Sequence, residues 1–130
     1  SPHRPTIPYL DMARRCYEAV ACWNPENGLA WNQLAVIATM QKTAHPVEVC
    51  FYYVKAAASG RPFPTAVKNM AGFLKGMEAH WRHDAFLARL YDYFVMRRTD
   101  LGDLDQLPPC EEYGTQRRFI VDYLRNSAPA

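Results

Sequence analysis

Residues 24–35 read Asn24-Pro25-Glu26-Asn27-Gly28-Leu29-Ala30-Trp31-Asn32-Gln33-Leu34-Ala35, and residues 51–66 read Phe51-Tyr52-Tyr53-Val54-Lys55-Ala56-Ala57-Ala58-Ser59-Gly60-Arg61-Pro62-Phe63-Pro64-Thr65-Ala66. Each stretch couples a turn cluster to an apolar run of helical period. Asn27-Gly28 is a turn signal, and Trp31, Leu34, Ala35 and Ala38 follow it at steps of three and four. Ser59-Gly60 ends the second run, and Arg61-Pro62-Phe63-Pro64 is a rigid corner because each proline fixes its own backbone torsion. Helices that pack one apolar face on the next leave this pattern, with a groove between them. The pattern therefore reads as a binding module.

The same period continues in both directions. Leu10, Ala13, Tyr17, Val20 and Ala21 mark the apolar side of a first helix over 9–23, stopped by Asn24-Pro25. His45-Pro46 opens a third helix, since proline suits the first helical position, and Val49, Tyr52, Tyr53 and Ala56 follow. A fourth helix is predicted over 65–81, with Val67, Met70, Phe73, Leu74 and Met77 on one side. A fifth is predicted over 83–98 behind His83-Asp84, and a last over 110–126 with Phe119, Ile120, Tyr123 and Leu124. Leu101 to Cys110 reads as a loop. No long stretch alternates like a strand, so the fold class is all-α, an array of antiparallel helical hairpins.

A repeat underlies the array. The tetratricopeptide unit of roughly 34 residues places Ala, an aromatic and Ala at fixed steps in its second helix, then Pro. Ala13, Tyr17, Val20 and Pro25 follow that spacing with one substitution, and Trp31 and Leu34 stand where the next unit requires them. Val49, Tyr53, Ala56 and Pro62 complete it once about two extra residues are allowed. Residues 9–81 are the repeat-like part, and 82–126 the following hairpin, of a single fragment spanning 1–130.

Bulk properties exclude several classes. At 130 residues, with 49% hydrophobic and 22% charged residues, the chain is one folded domain rather than a disordered tail. A net charge of +2 is too small to require nucleic acid as partner. No apolar run approaches the ~20 residues that span a bilayer, so no membrane partner is expected. The opening Ser1-Pro2-His3-Arg4-Pro5 reads as the cut end of something longer. Cys16, Cys22, Cys50 and Cys110 have no metal or disulfide-framework spacing; the first three, among alanines and valines, read as small core hydrophobes of a reduced, intracellular protein.

The quoted residues, together with Asn69, also carry a resemblance. They are similar to the SMG proteins of nonsense-mediated mRNA decay and to their relative, the ever-shorter-telomere protein of telomerase. The likeness is specific over residues 13–74 and thins beyond. It implies the C-terminal part of a 14-3-3-like tetratricopeptide superhelix and a non-catalytic adaptor role without a cofactor. It further implies binding of a phosphoserine segment of the up-frameshift RNA helicase, pairing with another SMG protein as a heterodimer, or both. The implied compartment is the cytoplasm, with shuttling to the nucleus. Asn32 and Asn69 resemble the asparagines whose amides clasp a bound peptide's backbone, work that suits a group that both donates and accepts. Lys55 replaces the family's usual arginine and cannot form the bidentate fork that suits phosphate. Arg4 is the only cation near the place of the family's other phosphate-binding residues. The alternative the resemblance leaves is an RNA-binding, telomerase-associated subunit.

Remaining candidates read as structural. His80 and His83 stand three apart, but no further ligand at helical spacing completes a metal set. No phosphate loop, nucleophile elbow or paired carboxylates appear, and Asp100, Asp103 and Asp105 read as solvated. Phe86, Tyr91, Tyr93 and Phe94, with Arg82, Arg89, Arg97 and Arg98, resemble a base-stacking platform, yet aromatics at helical spacing more often form core.

Overall fold

A computed structural model of the chain describes residues 8–41, 44–81, 83–98, 100 and 112–127. Its elements are α1 (Pro8–Trp23), α2 (Gly28–Gln41), α3 (Pro46–Ala58), α4 (Ala66–Gly76), α5 (Glu78–Trp81), α6 (Ala85–Phe94) and α7 (Gly114–Ser127). Among the described residues there is no strand, only an isolated parallel bridge between Asn27 and Arg61. None of the described helices is long and apolar enough to cross a membrane. The expected all-α architecture is the observed one.

Local chemistry sets the helix ends. The His45 ring nitrogen Nδ1 accepts from the Val47 N–H at 3.1 Å, with Pro46 at the first position of α3. Asp84 caps α6 in the same way, its carboxylate accepting from the Leu87 N–H at 3.1 Å. The single helix expected over 65–81 is divided. The Met77 N–H turns back onto the Phe73 and Leu74 carbonyls (3.1 and 3.3 Å), which closes α4 just after Gly76 and leaves α5 as one short turn. The fifth helix stops at Phe94 rather than 98. Val95 and Met96 both donate to the Tyr91 carbonyl, and Arg97 adopts a left-handed conformation (φ 57°) that sends the Arg98 N–H back to Asp92. The loop expected over 101–110 and the expected first residues of the last helix lie outside the described residues; α7 begins at Gly114, behind a left-handed Tyr113.

One core joins α2, α3, α4, α6 and α7. Tyr53, Val54, Met70, Leu74, Leu87, Leu90, Ile120 and Leu124 all lie in it, with Cys50 fully enclosed. The last two helices thus share a core with the repeat. Phe86 is buried, and Tyr91, Tyr93 and Phe94 pack against the same cluster, so the aromatics of α6 are core. A smaller cluster of Ala21, Ala30 and Leu34, flanked by Tyr17, Trp31 and Tyr52, attaches α1. The expected repeat register holds in α3, where Val49, Tyr53 and Ala56 are buried. It is looser in α1, where Ala21 is buried but Val20 is exposed. Cys16 and Cys22 are exposed, which corrects their reading as core residues: each points well away from the direction of Ala21, the buried residue of α1. Burial pushes the Cys50 thiol well above its usual range. Cys110 lies outside the described residues.

The two motifs of the sequence meet at the start of α2. The Gly28 N–H donates to the Arg61 carbonyl (3.1 Å), the Arg61 N–H to the Glu26 carbonyl (3.0 Å), and the Phe63 N–H to the Ala56 carbonyl (3.1 Å). Asn27 caps α2 through its side-chain oxygen and the Ala30 N–H (3.3 Å), and the Trp31 indole N–H reaches back to the Pro25 carbonyl at 2.9 Å. Gly28 is enclosed by backbone. A Cβ there would stand 2.5 Å from the Arg61 oxygen, 2.6 Å from the Phe63 nitrogen and 2.8 Å from the Ala56 oxygen. Backbone cannot swing aside as a side chain can, so the corner after α3 docks only on a residue without one.

Two glycine substitutions should therefore act in opposite directions. Gly28→Ala is expected to lower unfolding stability by ~3 kcal/mol through overpacking. Gly72→Ala, where an added Cβ meets nothing within 4 Å, is expected to raise it by ~0.5–1 kcal/mol through helix propensity. Urea denaturation of the two variants beside the parent checks both signs.

Candidate functional site

The open boundary between α2 and α4 holds the two asparagines singled out in the sequence. The Asn69 side-chain amide donates to the Asn32 side-chain oxygen Oδ1 at 3.1 Å and lies 3.3 Å from the Thr65 hydroxyl. The Asn32 side-chain amide in turn donates to the Gln33 side-chain oxygen Oε1 at 3.4 Å. The two differ in access: Asn32 is 3% exposed and stands among the buried residues as a polar one, whereas Asn69 is half-buried. The pair forms a seam of amides between α2 and α4, with Asn69 on the accessible side. Burying Asn32 without a partner would be unfavourable by about 1–3 kcal/mol, so the seam also fixes how α4 approaches α2.

Beside the seam, α2 presents an apolar row. Leu29 and Met40 are exposed, at 48% and 55%, and Val36 is half-buried. Their spacing of seven and four places them on one side of the helix, roughly 60° round from Asn32. An apolar row on an open face next to paired amides can hold an extended chain, with side chains on the row and backbone on the amides. Sequence reading missed this row because α2 is apolar almost all round, which hides the buried side from the open one.

Lys55 belongs to a different neighbourhood. Its ammonium stands 4.6 Å from the centre of the Phe119 ring, 4.9 Å from that of Trp31 and 5.8 Å from that of Phe51, so it is held by rings from α7, α2 and α3. Phe119 meets Phe51 edge-on at 5.5 Å, and Trp31 stacks on Tyr52 at 6.3 Å. The ring quadrupoles attract the charge. Asn32 and Asn69 are therefore brought together, and Lys55 is engaged by rings elsewhere. Arg4 lies outside the described residues.

A polar cluster that sequence reading did not anticipate lies between α1, α2 and α3. Arg14 pairs with Asp11 (3.3 Å) and Glu18 (3.7 Å), and Gln41 donates to Asp11 at 3.2 Å. Tyr52 bonds Glu48 at 3.4 Å, and its hydroxyl is pushed up to about 12 by burial first and by the Glu48 and Glu18 carboxylates next, with Arg14 opposing them. Farther along, Arg117 pairs with Asp84 at 3.3 Å and covers the Phe86 ring, tying α7 to the cap of α6. His83 is exposed, and among the described residues no group of histidines, cysteines and carboxylates has the geometry of a metal site.

Comparison with known proteins agrees with this architecture. A family model described as the Est1 DNA/RNA binding domain matches residues 13–84, more than half of the chain. The chain belongs to this family, the Est1/SMG type with its 14-3-3-like domain. Neither a curated protein nor a solved structure matches it.

The seam makes a thermodynamic prediction. Asn32→Ala should destabilise by ~1–3 kcal/mol, since Asn32 is buried and its loss strips Asn69 of an acceptor. Asn69→Ala should cost less, because its site is wetter. The double variant should cost less than the sum of the two by about 1 kcal/mol, a coupling that a denaturation cycle measures directly.

Proposed function

We propose that this Est1-type domain is a non-catalytic adaptor of nonsense-mediated mRNA decay that holds an extended peptide segment in the groove between α2 and α4. The ligand is a phosphoserine segment of the up-frameshift RNA helicase, and a second SMG protein pairs with the domain. The observation that carries this reading is the Asn69–Asn32 bond between α2 and α4, with Asn69 half-buried beside an open apolar row. Asn69 meets the peptide backbone and Asn32 holds Asn69 in place. Lys55 sits among three rings. It reaches a phosphate only by exchanging part of that contact, so its share in phosphate recognition is small.

A second reading draws on the family description, which names DNA and RNA as ligands. Arg97 and Arg98, just past the end of α6, and Arg118 and Arg125 on α7 are exposed. Such cations bind a nucleic-acid backbone irrespective of sequence, with a steep salt dependence. This makes the telomerase-associated subunit the alternative.

Fluorescence anisotropy separates the two. A serine-glutamine peptide bearing phosphoserine should bind more tightly than its unphosphorylated form and should not be displaced by single-stranded RNA. Gly72→Ala, which places a methyl group on the same side of α4 as Asn69, should weaken the peptide about fivefold although it stabilises the fold. Binding confined to RNA, falling steeply with added salt, would move the assignment to the telomerase-type reading.

A further inference from the structure

We propose that the outer side of α4 is a carboxylate-reading wall, which takes acidic residues of the bound segment beside the amide seam. The inference rests on the groove reading above and names the chemistry of its partner. On α4 stand two cations, Lys68 and Lys75, and no acidic residue; Arg61 precedes the helix beside Glu26, whose carboxylate lies at Gly60, and Glu78 follows it. All three cations are exposed. Lys68 and Lys75 are seven apart on α4, hence on one side, and Lys68 adjoins Asn69. Gly72 lies between them, and a Cβ there would meet nothing within 4 Å, so no side chain covers that position.

Side by side therefore stand an apolar row on α2, a seam of amides, and two lysines on α4. An extended polypeptide with aliphatic side chains on one edge and carboxylates on the other complements all three. Charge complementarity of this kind selects partners and speeds encounter more than it adds affinity, since exposed lysines stay solvated. Nucleic acid fits the same wall less well. Its phosphates suit the lysines, but its bases need aromatic faces, and the large exposed apolar groups of α2 and α4 are Leu29, Met40 and Val67.

The test uses the whole chain and two synthetic peptides with the same phosphoserine-glutamine core. One continues in a run of glutamates, the other in the same number of glutamines. A short oligouridylate is the third probe. The glutamate peptide should bind ~10-fold more tightly at low salt, and the advantage should shrink as salt screens it. In the double variant Lys68→Gln/Lys75→Gln the advantage should vanish, while the glutamine peptide's affinity and the melting temperature stay at parental values. Equal affinity of the two peptides for the parent protein would overturn the carboxylate wall and leave the groove intact. Failure of both peptides would remove the groove and the wall together. Oligouridylate binding that depends on Lys68 and Lys75, without a preference between the peptides, would assign those lysines to nucleic acid instead.

Discussion

Gly28 is the point on which the arrangement turns. Three backbone segments converge there, closer than any side chain would permit: the start of α2, the last turn of α3 and the corner that follows it. The contact is made of main-chain hydrogen bonds, so it fixes direction as well as distance. The corner from Gly60 to Thr65 leads directly into α4, and its docking on α2 decides where α4 begins. Asn69 meets Asn32 as a consequence. A groove whose amides are positioned this way depends on a glycine that touches no ligand.

The rest of the chain stiffens that frame. Ile120, Val121 and Leu124 of α7 and Phe86, Leu87 and Leu90 of α6 bury their side chains in the core shared with α3 and α4. Each fully buried aliphatic contributes roughly 1.5–3 kcal/mol, far more than the exposed charge pairs on α1. The Lys55 contact with Trp31, Phe51 and Phe119 adds specificity, because one ammonium is shared by rings from three helices. A cation engaged in this way belongs to the fold first and to a phosphate second.

Much of this was legible in the sequence, for identifiable reasons. Trp31, Leu34, Val49, Tyr53 and Ala56 obey a spacing that hairpin packing imposes, and His45-Pro46 and Asp84 are local start signals. The likeness to the SMG and ever-shorter-telomere proteins agrees with the family match over residues 13–84. What escaped was either a local event with no residue signal or a contact set by distant partners. The break at Met77 depends on two carbonyls of the preceding turn, and no proline marks it. The rings around Lys55 include Phe119, which no local pattern connects to it. Asn32 and Asn69 were each legible as amides near a groove, yet their mutual bond spans 37 residues of sequence. The exposure of Cys16 and Cys22 was missed because a thiol beside alanine and valine reads as a small hydrophobe whichever side of α1 it stands on.

Native-state hydrogen exchange, read at the amides of Gly28, Arg61 and Phe63 beside core amides such as Val54, tests most directly whether the junction organises the groove. Protection of the three to the same opening free energy as the core is the predicted result, since the corner should leave α2 only when the domain unfolds. Exchange of these three near the rate of an unstructured chain, with Val54 still protected, would mean that the corner opens on its own, and would contradict a groove fixed by Gly28.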